Sequence, residues 1–434
     1  MKMTNSLTSL LPFRKRHIEK FCLGKLRVTK QSGKRHNASF ATGLLRRPSS
    51  IRICNPNVSN IRICNPRWFF FALKMLIIAT AGLQIRQDGG LQIRQDGQDG
   101  VKLLMTSIAI LLLCLSCTQK RYFEDSGTIF NTLYSIKYES TDILSDKINK
   151  ELQDFSLTFN PFNPNSVISK VNRNEAVELD DKFITVFNKA MEVSEKSGGA
   201  FDATASPLIN LWGFGFEQND SLSQQTIDSL KSFVGYRKVR IGHKKIIKDD
   251  PRITLNFSAI AKGYACDVIG ELLEREGIKN YMVSIGGEVT SKGKNPNGLC
   301  WQIGINKPED DVTGIINDLI DTILLCGKRG LATSGNYRNF YVRDGKKYGH
   351  IIDPRTGYPS EQTITSASVV APDCMTADAY ATAFMVMGVE AACQLAETIP
   401  EIEYYIVYPD DSSYSHQKIF SKGLKTMLLP NKKW

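Results

Sequence analysis

Beyond Cys117 the sequence has no CxxC pair and no other cysteine spacing suited to a metal: Cys266, Cys300, Cys326, Cys374 and Cys393 are scattered and odd in number. An odd set cannot form a fully paired disulfide framework, so most of these cysteines are expected to be small buried hydrophobes. Histidine is scarce, with five in 434 residues. No apolar run crosses a bilayer comfortably: residues 68–82 (WFFFALKMLIIATAG) are short and broken by Lys74, and residues 105–117 are shorter still. Residues 122–434 also lack any low-complexity linker, which implies one catalytic unit, of bilobed form at most.

The body lacks a basic surplus as well. The whole chain carries a net charge of +11, at 42% hydrophobic and 23% charged residues, the composition of a globular protein. Residues 1–116 hold 19 Lys+Arg against 4 Asp+Glu, and residues 117–434 hold 36 against 40. The positive charge therefore belongs to the leader, and the body is mildly acidic, which removes the reading of a nucleic-acid-binding body.

The leader has two parts. Residues 105–117 (MTSIAILLLCLSC), with Lys102 upstream, have a basic start, a short apolar stretch and a terminal cysteine. They resemble a bacterial lipoprotein signal in which Cys117 is lipidated, although Cys114 replaces the usual leucine. That predicts a lipid-anchored protein on the periplasmic or outer face of a bacterial inner membrane. Upstream, IRICNP recurs at 51–56 and 61–66, and LQIRQDG at 83–89 and 91–97. These direct repeats have no amphipathic period and are too few for a solenoid. Residues 1–100 are thus expected to be a non-native or mis-assigned extension, 101–117 the signal, and 118–434 the catalytic unit, with translation starting near Val101 or Met105.

The body reads as α+β. Alternation predicts strands over 129–138, 238–241, 245–248, 253–257, 280–285, 301–305, 322–326, 339–343, 347–352, 366–371 and 403–408. Helical spacing marks 142–158, 181–197, 222–234, 259–276, 376–387 and 389–398. There is no regular βαβ beat, which argues against a doubly wound sheet.

Four segments carry chemistry. In DCMTADAYATA (373–383), Asp378 and Thr382 lie four apart on one helix face, a hard-oxygen partial site suited to Mg²⁺. A solvated helix face would show the same spacing. In LATSGNYRNFYVRDGKKYGHIIDPRTGYP (331–359), a small-residue turn leads into strand material, then His350, then a DPRTG turn whose amides, Thr356 and Arg355 form a possible anion cradle. In KSGGAFDATASPLINLWGFG (196–215), glycines and aromatics permit either a tight turn on core rings or close approach to a flat ligand. In TLNFSAIAKGYACD (254–267), a strand runs into a helix whose first amides and Lys262 can receive a phosphate.

Taken in order, FDATASPLINLWGFG, SAIAKGYACD, VSIGGEV, ATSGNYRNF, HIIDPRTGYP and TADAYATA closely resemble the ApbE family of FAD:protein FMN transferases, from about 129 to 408. The resemblance implies an ApbE-like, T-fold-like mixed sheet with flanking helices. It also implies FAD as substrate and Mg²⁺ as cofactor, the metal being held by Asp378, Thr382 and the carbonyls of Ala259 and Ala381. FAD-contacting positions fall on Phe130, Phe162 (with Phe159 as the alternative), Ala200, Phe201, Asp202, Asn256, Lys262 and Ile351, and the catalytic histidine on His350. The implied reaction transfers FMN to a Ser or Thr hydroxyl of an acceptor protein with release of AMP, and the implied acceptors are subunits of membrane redox pumps. Two other readings use the same site: hydrolysis of FAD to FMN and AMP, and FAD binding without turnover. The chain departs from the family pattern at Phe130-Asn131-Thr132, where Met-Gly-Thr is common, and at Asn256, where an Asp often stands.

Overall fold

The computed structural model describes residues 83–85, 91–93, 120–214, 222–309, 318–337, 340–343, 346–360, 364–410 and 416–430. The apolar segment 68–82, the signal over 101–117 and Cys117 lie outside the described residues. The chain divides into Met1–Met105 and Thr106–Trp434. In the first unit, β1 (Leu83–Ile85) and β2 (Leu91–Ile93) pair antiparallel, so the two copies of LQI in the direct repeat lie side by side.

In the second unit, β3 (Arg121–Ile129) and β4 (Thr132–Ser140) form a hairpin closed by Phe130-Asn131. The single strand expected over 129–138 is therefore two strands. Both turn residues have positive φ, 52° and 58°. A two-residue hairpin turn of this hand needs that conformation twice, and apart from glycine Asn accepts it best. This explains how Asn131 can stand where the family commonly has glycine.

After α1 (Ser145–Phe159), α2 (Val167–Asn172), α3 (Asp181–Lys196), α4 (Ser206–Leu211) and α5 (Gln224–Lys231), a small hairpin pairs β5 (Val239–Gly242) with β6 (Lys245–Lys248). Residues 253–257 are not a strand. Leu255 exchanges both backbone hydrogen bonds with the amide of Asn172, and Asn256 N–H donates to the Ala203 carbonyl at 2.7 Å. The segment is extended, but a side chain serves it in place of a neighbouring strand, and alternation alone cannot register that difference.

Next come α6 (Ala261–Arg275), β7 (Tyr281–Ile285), β8 (Glu288–Lys292), β9 (Trp301–Asn306), β10 (Leu319–Leu325), β11 (Arg329–Gly335), β12 (Phe340–Arg343), β13 (Lys346–Gly349) and β14 (Ser366–Ala371). The chain closes with α7 (Cys374–Met387), α8 (Val389–Glu397), β15 (Glu403–Pro409), β16 (His416–Phe420) and α9 (Lys422–Met427). Eight strands form one sheet in the order β16-β15-β14-β11-β8-β7-β4-β3, and each neighbouring pair is antiparallel. With helices laid on it, the sheet gives the expected α+β architecture. The LATSG segment, read above as a turn, is most of the interior strand β11. Its small side chains admit α7, because a Cβ on Gly330 would collide with the backbone of Asp373 and Cys374.

The two sheet faces bury separate cores. Ile136, Val283, Ala332, Val369 and Ile406 face α1, α3, α6 and α7. Val289, Leu331, Val370, Tyr405 and Val407 face a cover made of the β9–β10 ribbon and α9. A disulfide between Cys300 and Cys326 staples that ribbon. Of the remaining body cysteines, Cys266 and Cys374 are the buried small hydrophobes expected, and Cys393 is half-buried.

Candidate active site

The site grows from the contact between α6 and α7. Neither helix tolerates bulk at the crossing, since a Cβ on Gly263 would meet the Cys374 carbonyl and the Asp378 side chain. Asp373 caps α7 by accepting from Thr376 N–H at 2.7 Å, and Asp267 of α6 accepts from the N–H groups of Cys374 and Met375 at 2.9 and 2.8 Å. Four orphan amides at a helix start call for such acceptors. Burial pushes the Asp267 carboxyl up to about 7 against the pull of those amides.

This crossing places Asp378, 2% exposed, against the first turn of α6. Its Oδ2 accepts from Gly263 N–H at 3.0 Å, and its Oδ1 lies 3.6 Å from Lys262 Nζ. Lys262 Nζ also sits 3.1 Å from Glu288 Oε1. Burial works to lower the Lys262 ammonium, but Asp378 and Glu288 outweigh it and keep the lysine charged. Glu288 follows the Gly286-Gly287 turn of the β7–β8 hairpin, where φ is 68° and 106°, and is 4% exposed. Burial pushes its carboxyl up to about 7, Lys262 opposes the rise and Asp378 adds to it. Its second oxygen, Oε2, is buried with no hydrogen-bond partner.

Thr382 lies one turn beyond Asp378 on α7, and its Oγ1 is 3.1 Å from Ser334 Oγ on β11. No group of three or more His, Cys, Asp or Glu gathers as a metal cluster among the described residues. The donors present are the Asp378 carboxylate and the hydroxyls of Thr382 and Ser334, all hard oxygens of the kind Mg²⁺ prefers. Asp378 and Glu288 face a single ammonium, with Glu288 pushed up to about 7 by burial. On the chemistry of their donors the residues fit a small divalent cation.

A cleft of about 150 Å³ opens beside this cluster, lined by Phe130, Phe159, Pro161, Ile168, Leu255, Asn256, Phe257, Ser258, Ala261 and Lys262. The structure thus brings together Phe130, Asn256 and Lys262 from the predicted set. Of the two alternatives at the next position, Phe159 lines the cleft, while Phe162 is 62% exposed and outside the lining. Asn256 Oδ1 accepts from Ser258 N–H at 2.8 Å, turning the chain into α6. Ala259 is half-buried in that turn, and Ala381 is wholly buried on α7.

Ala200 and Phe201 are buried in the main core rather than in the cleft wall. Asp202 spends its carboxylate on Thr204 (2.6 and 2.7 Å) and on Tyr236 N–H (2.8 Å), and burial raises its pKa. The Asn256–Ala203 backbone bond links the turn to the cleft.

His350 follows β13 and stands edge-on to Phe214, with ring centroids 6.4 Å apart. Trp212 stacks on Tyr348 at 5.6 Å and donates from Nε1 to the Gly357 carbonyl at 2.8 Å, so the WGF aromatics pack against the His350 strap. The expected anion cradle is satisfied from within. The Asp353 carboxylate accepts from Arg355 N–H, Nε and Nη2, and the Asp353 carbonyl accepts from Gly357 N–H. Ile351, expected on a strand, lies between β13 and an isolated bridge at Ile352, and its carbonyl accepts from Ser360 N–H at 2.8 Å. Ser360 Oγ donates to the Met385 carbonyl at 3.1 Å, which ties the strap to α7.

Sequence reasoning missed Glu288, Ser334 and Asp267. The available signal for Glu288 was an acid directly after a Gly-Gly turn, at the first position of the short strand EVTSK.

The sequence matches the ApbE family over residues 130–406. The FAD:protein FMN transferase of Vibrio cholerae is 34% identical over 319 residues, covering 71% of this chain and 94% of the relative. That of Haemophilus influenzae is 34% identical, with the same two coverages. Among solved structures, the flavin transferase ApbE from Vibrio cholerae superposes with a TM-score of 0.64 at 32% identity, over 71% of this chain and 99% of that one. The ApbE protein of Thermotoga maritima gives 0.61 at 28% identity, over 71% and 99%.

Proposed function

The chain belongs to the ApbE family, and from that premise we propose that it transfers FMN from FAD to a serine or threonine hydroxyl of an acceptor protein with release of AMP. The observation that carries the reading is the position of Lys262, which lines the aromatic cleft and also reaches the buried carboxylates of Glu288 and Asp378. A ligand with a flat ring at one end and a pyrophosphate at the other suits such a junction.

In the transfer, the acceptor oxygen bonds to the FMN phosphorus as that phosphorus loses its bond to the bridging oxygen. The electron pair departs with AMP, and the acceptor proton passes to a base. His350 is the residue for that role, since an imidazole exchanges protons near neutral pH. Phe130, Phe159 and Phe257 offer ring faces to an aromatic ligand, and Lys262 offers a fixed positive charge to phosphate oxygens. Asp378, Thr382 and the carbonyls of Ala259 and Ala381 would hold Mg²⁺, which when bound neutralises charge on the pyrophosphate.

The test is incubation of the full-length chain with FAD, Mg²⁺ and a threonine-bearing acceptor. The expected result is flavin fluorescence that stays with the acceptor through a denaturing gel, with one AMP released per flavin attached. AMP release that ignores the acceptor would sink transfer in favour of hydrolysis.

The same proposal puts the enzyme outside the cytoplasm on a lipid anchor at Cys117, with a subunit of a membrane redox pump as acceptor. The Cys300–Cys326 disulfide supports export, because such bonds persist in oxidising compartments. Cys117→Ser is expected to move the protein from the membrane to the soluble fraction, and unchanged fractionation would refute the anchor.

A further inference from the structure

Lys262 is shared between two buried acids, and only one of them stands among the proposed metal-holding residues. Its Nζ is 3.1 Å from Glu288 Oε1 and 3.6 Å from Asp378 Oδ1. An ammonium this close to Asp378 opposes any cation that the same carboxylate would hold. Like charges a few Å apart in a poorly solvated site repel strongly. Glu288 is placed to relieve that conflict. It holds the nearer contact to the lysine, it comes from a different element, and its Oε2 is buried without a partner. That oxygen leaves Glu288 with spare acceptor capacity.

We propose that Glu288 is a positioning residue that draws the Lys262 ammonium off Asp378, so that a divalent cation can bind at Asp378 while Lys262 stays beside it. This rests on the reading of Asp378 and Thr382 as the metal-holding pair. In this arrangement cation binding transfers the lysine from two acids to one and leaves it at the edge of the cleft, where it faces phosphate. The lysine and the cation then act side by side instead of competing. Glu288 itself need touch neither substrate nor metal.

Glu288→Gln keeps the shape and removes the charge. Lys262 would then lean on Asp378 alone, and divalent affinity should fall. Lys262→Met removes the competitor, and in that background the loss of Glu288 should matter much less.

The experiment uses the full-length chain and Mn²⁺ as the probe, followed by electron paramagnetic resonance of the free ion. The expected result is about tenfold weaker Mn²⁺ binding in Glu288→Gln. Lys262→Met should bind at least as tightly as the wild type, and adding Glu288→Gln to it should weaken binding less than about threefold. An unchanged affinity in Glu288→Gln would overturn the inference. So would an equal loss in both backgrounds, which would make Glu288 a direct charge on the ion. Weaker binding by Lys262→Met alone would overturn it too, and that arm remains readable if Glu288→Gln fails to fold. Wild-type chain that binds no Mn²⁺, or that loses none on Asp378→Asn, would overturn the metal reading and this inference with it.

Discussion

Phe130 holds a φ of 52°, a conformation that costs an aromatic residue roughly 1 kcal/mol or more. It does so at the cleft, with its ring packed edge-on against Phe155 at 5.7 Å. The strain keeps a ring at the cleft that a glycine turn could not supply. His350 is the residue whose loss should be felt most in turnover. His350→Ala is expected to lower kcat for flavinylation by about 100- to 10,000-fold while FAD still binds, measured by single-turnover gel fluorescence and by FAD titration. At this scale the sequence was partly legible. Asp378 and Thr382 stand four apart, but a solvated helix face would show the same spacing, and only the resemblance gives the pair a role. Glu288 has no spacing to mark it, because its meaning comes from Lys262, 26 residues earlier in the chain and adjacent only in space. Phe162 and Phe159 cannot be told apart in the sequence, since an aromatic beside a proline loop reads the same whether it lines the cleft, as Phe159 does, or is exposed, as Phe162 is.

Helices and the strands beneath them explain the next set of effects. Helix α7 was visible from composition, being apolar almost all round, as a buried helix must be. Its counterpart β11 was not visible, because a strand that must admit a helix is built of Gly, Ala, Ser and Thr and imitates a turn. Gly330→Ala should therefore destabilise the fold by about 1–3 kcal/mol through overpacking, read as a lower denaturant midpoint with little change in slope. Glu274, at the far end of α6, accepts from Tyr281 Oη at 2.7 Å and pairs with Lys328 and Lys292 at 2.9 and 3.1 Å. Burial pushes its carboxyl up, but hydrogen bonds from Lys328, Tyr281 and Lys292 together hold it down at about 2. A carboxyl held below its unfolded value of 4.5 stabilises the fold above that value, and the contribution fades as pH falls from 4.5 towards 2. Glu274→Gln should cost about 1 kcal/mol at pH 7, a modest figure because the group is partly solvated. The gap to wild type should close below pH 4.5, as followed by urea melts across that range.

For the molecule as a whole, the sheet separates two cores with different covers. The helical cover carries the site. The other cover, the β9–β10 ribbon with α9, is tied by Cys300–Cys326 across a separation of 26 residues. Closing a loop of that length is worth about 3.5 kcal/mol by chain entropy. Reduction, or Cys326→Ser, should lower the thermal midpoint by a corresponding amount while leaving flavin transfer intact below the transition, as calorimetry and the gel assay would show together. The α+β class and the long helices α1, α3, α6 and α7 were legible, because long periodic segments survive any context. The pairing of two cysteines was not, because it depends on which strands become neighbours. The crossing of α6 and α7 has one further consequence, for sequence drift. Gly263 on α6 and Gly330 on β11 both press on the start of α7, and neither can gain a side chain unless the helix moves. Moving the helix would carry Asp378 away from Lys262. Mutations in three separated stretches of the gene are thereby bound to one another, and a lineage that loses either glycine must adjust the start of α7 as well.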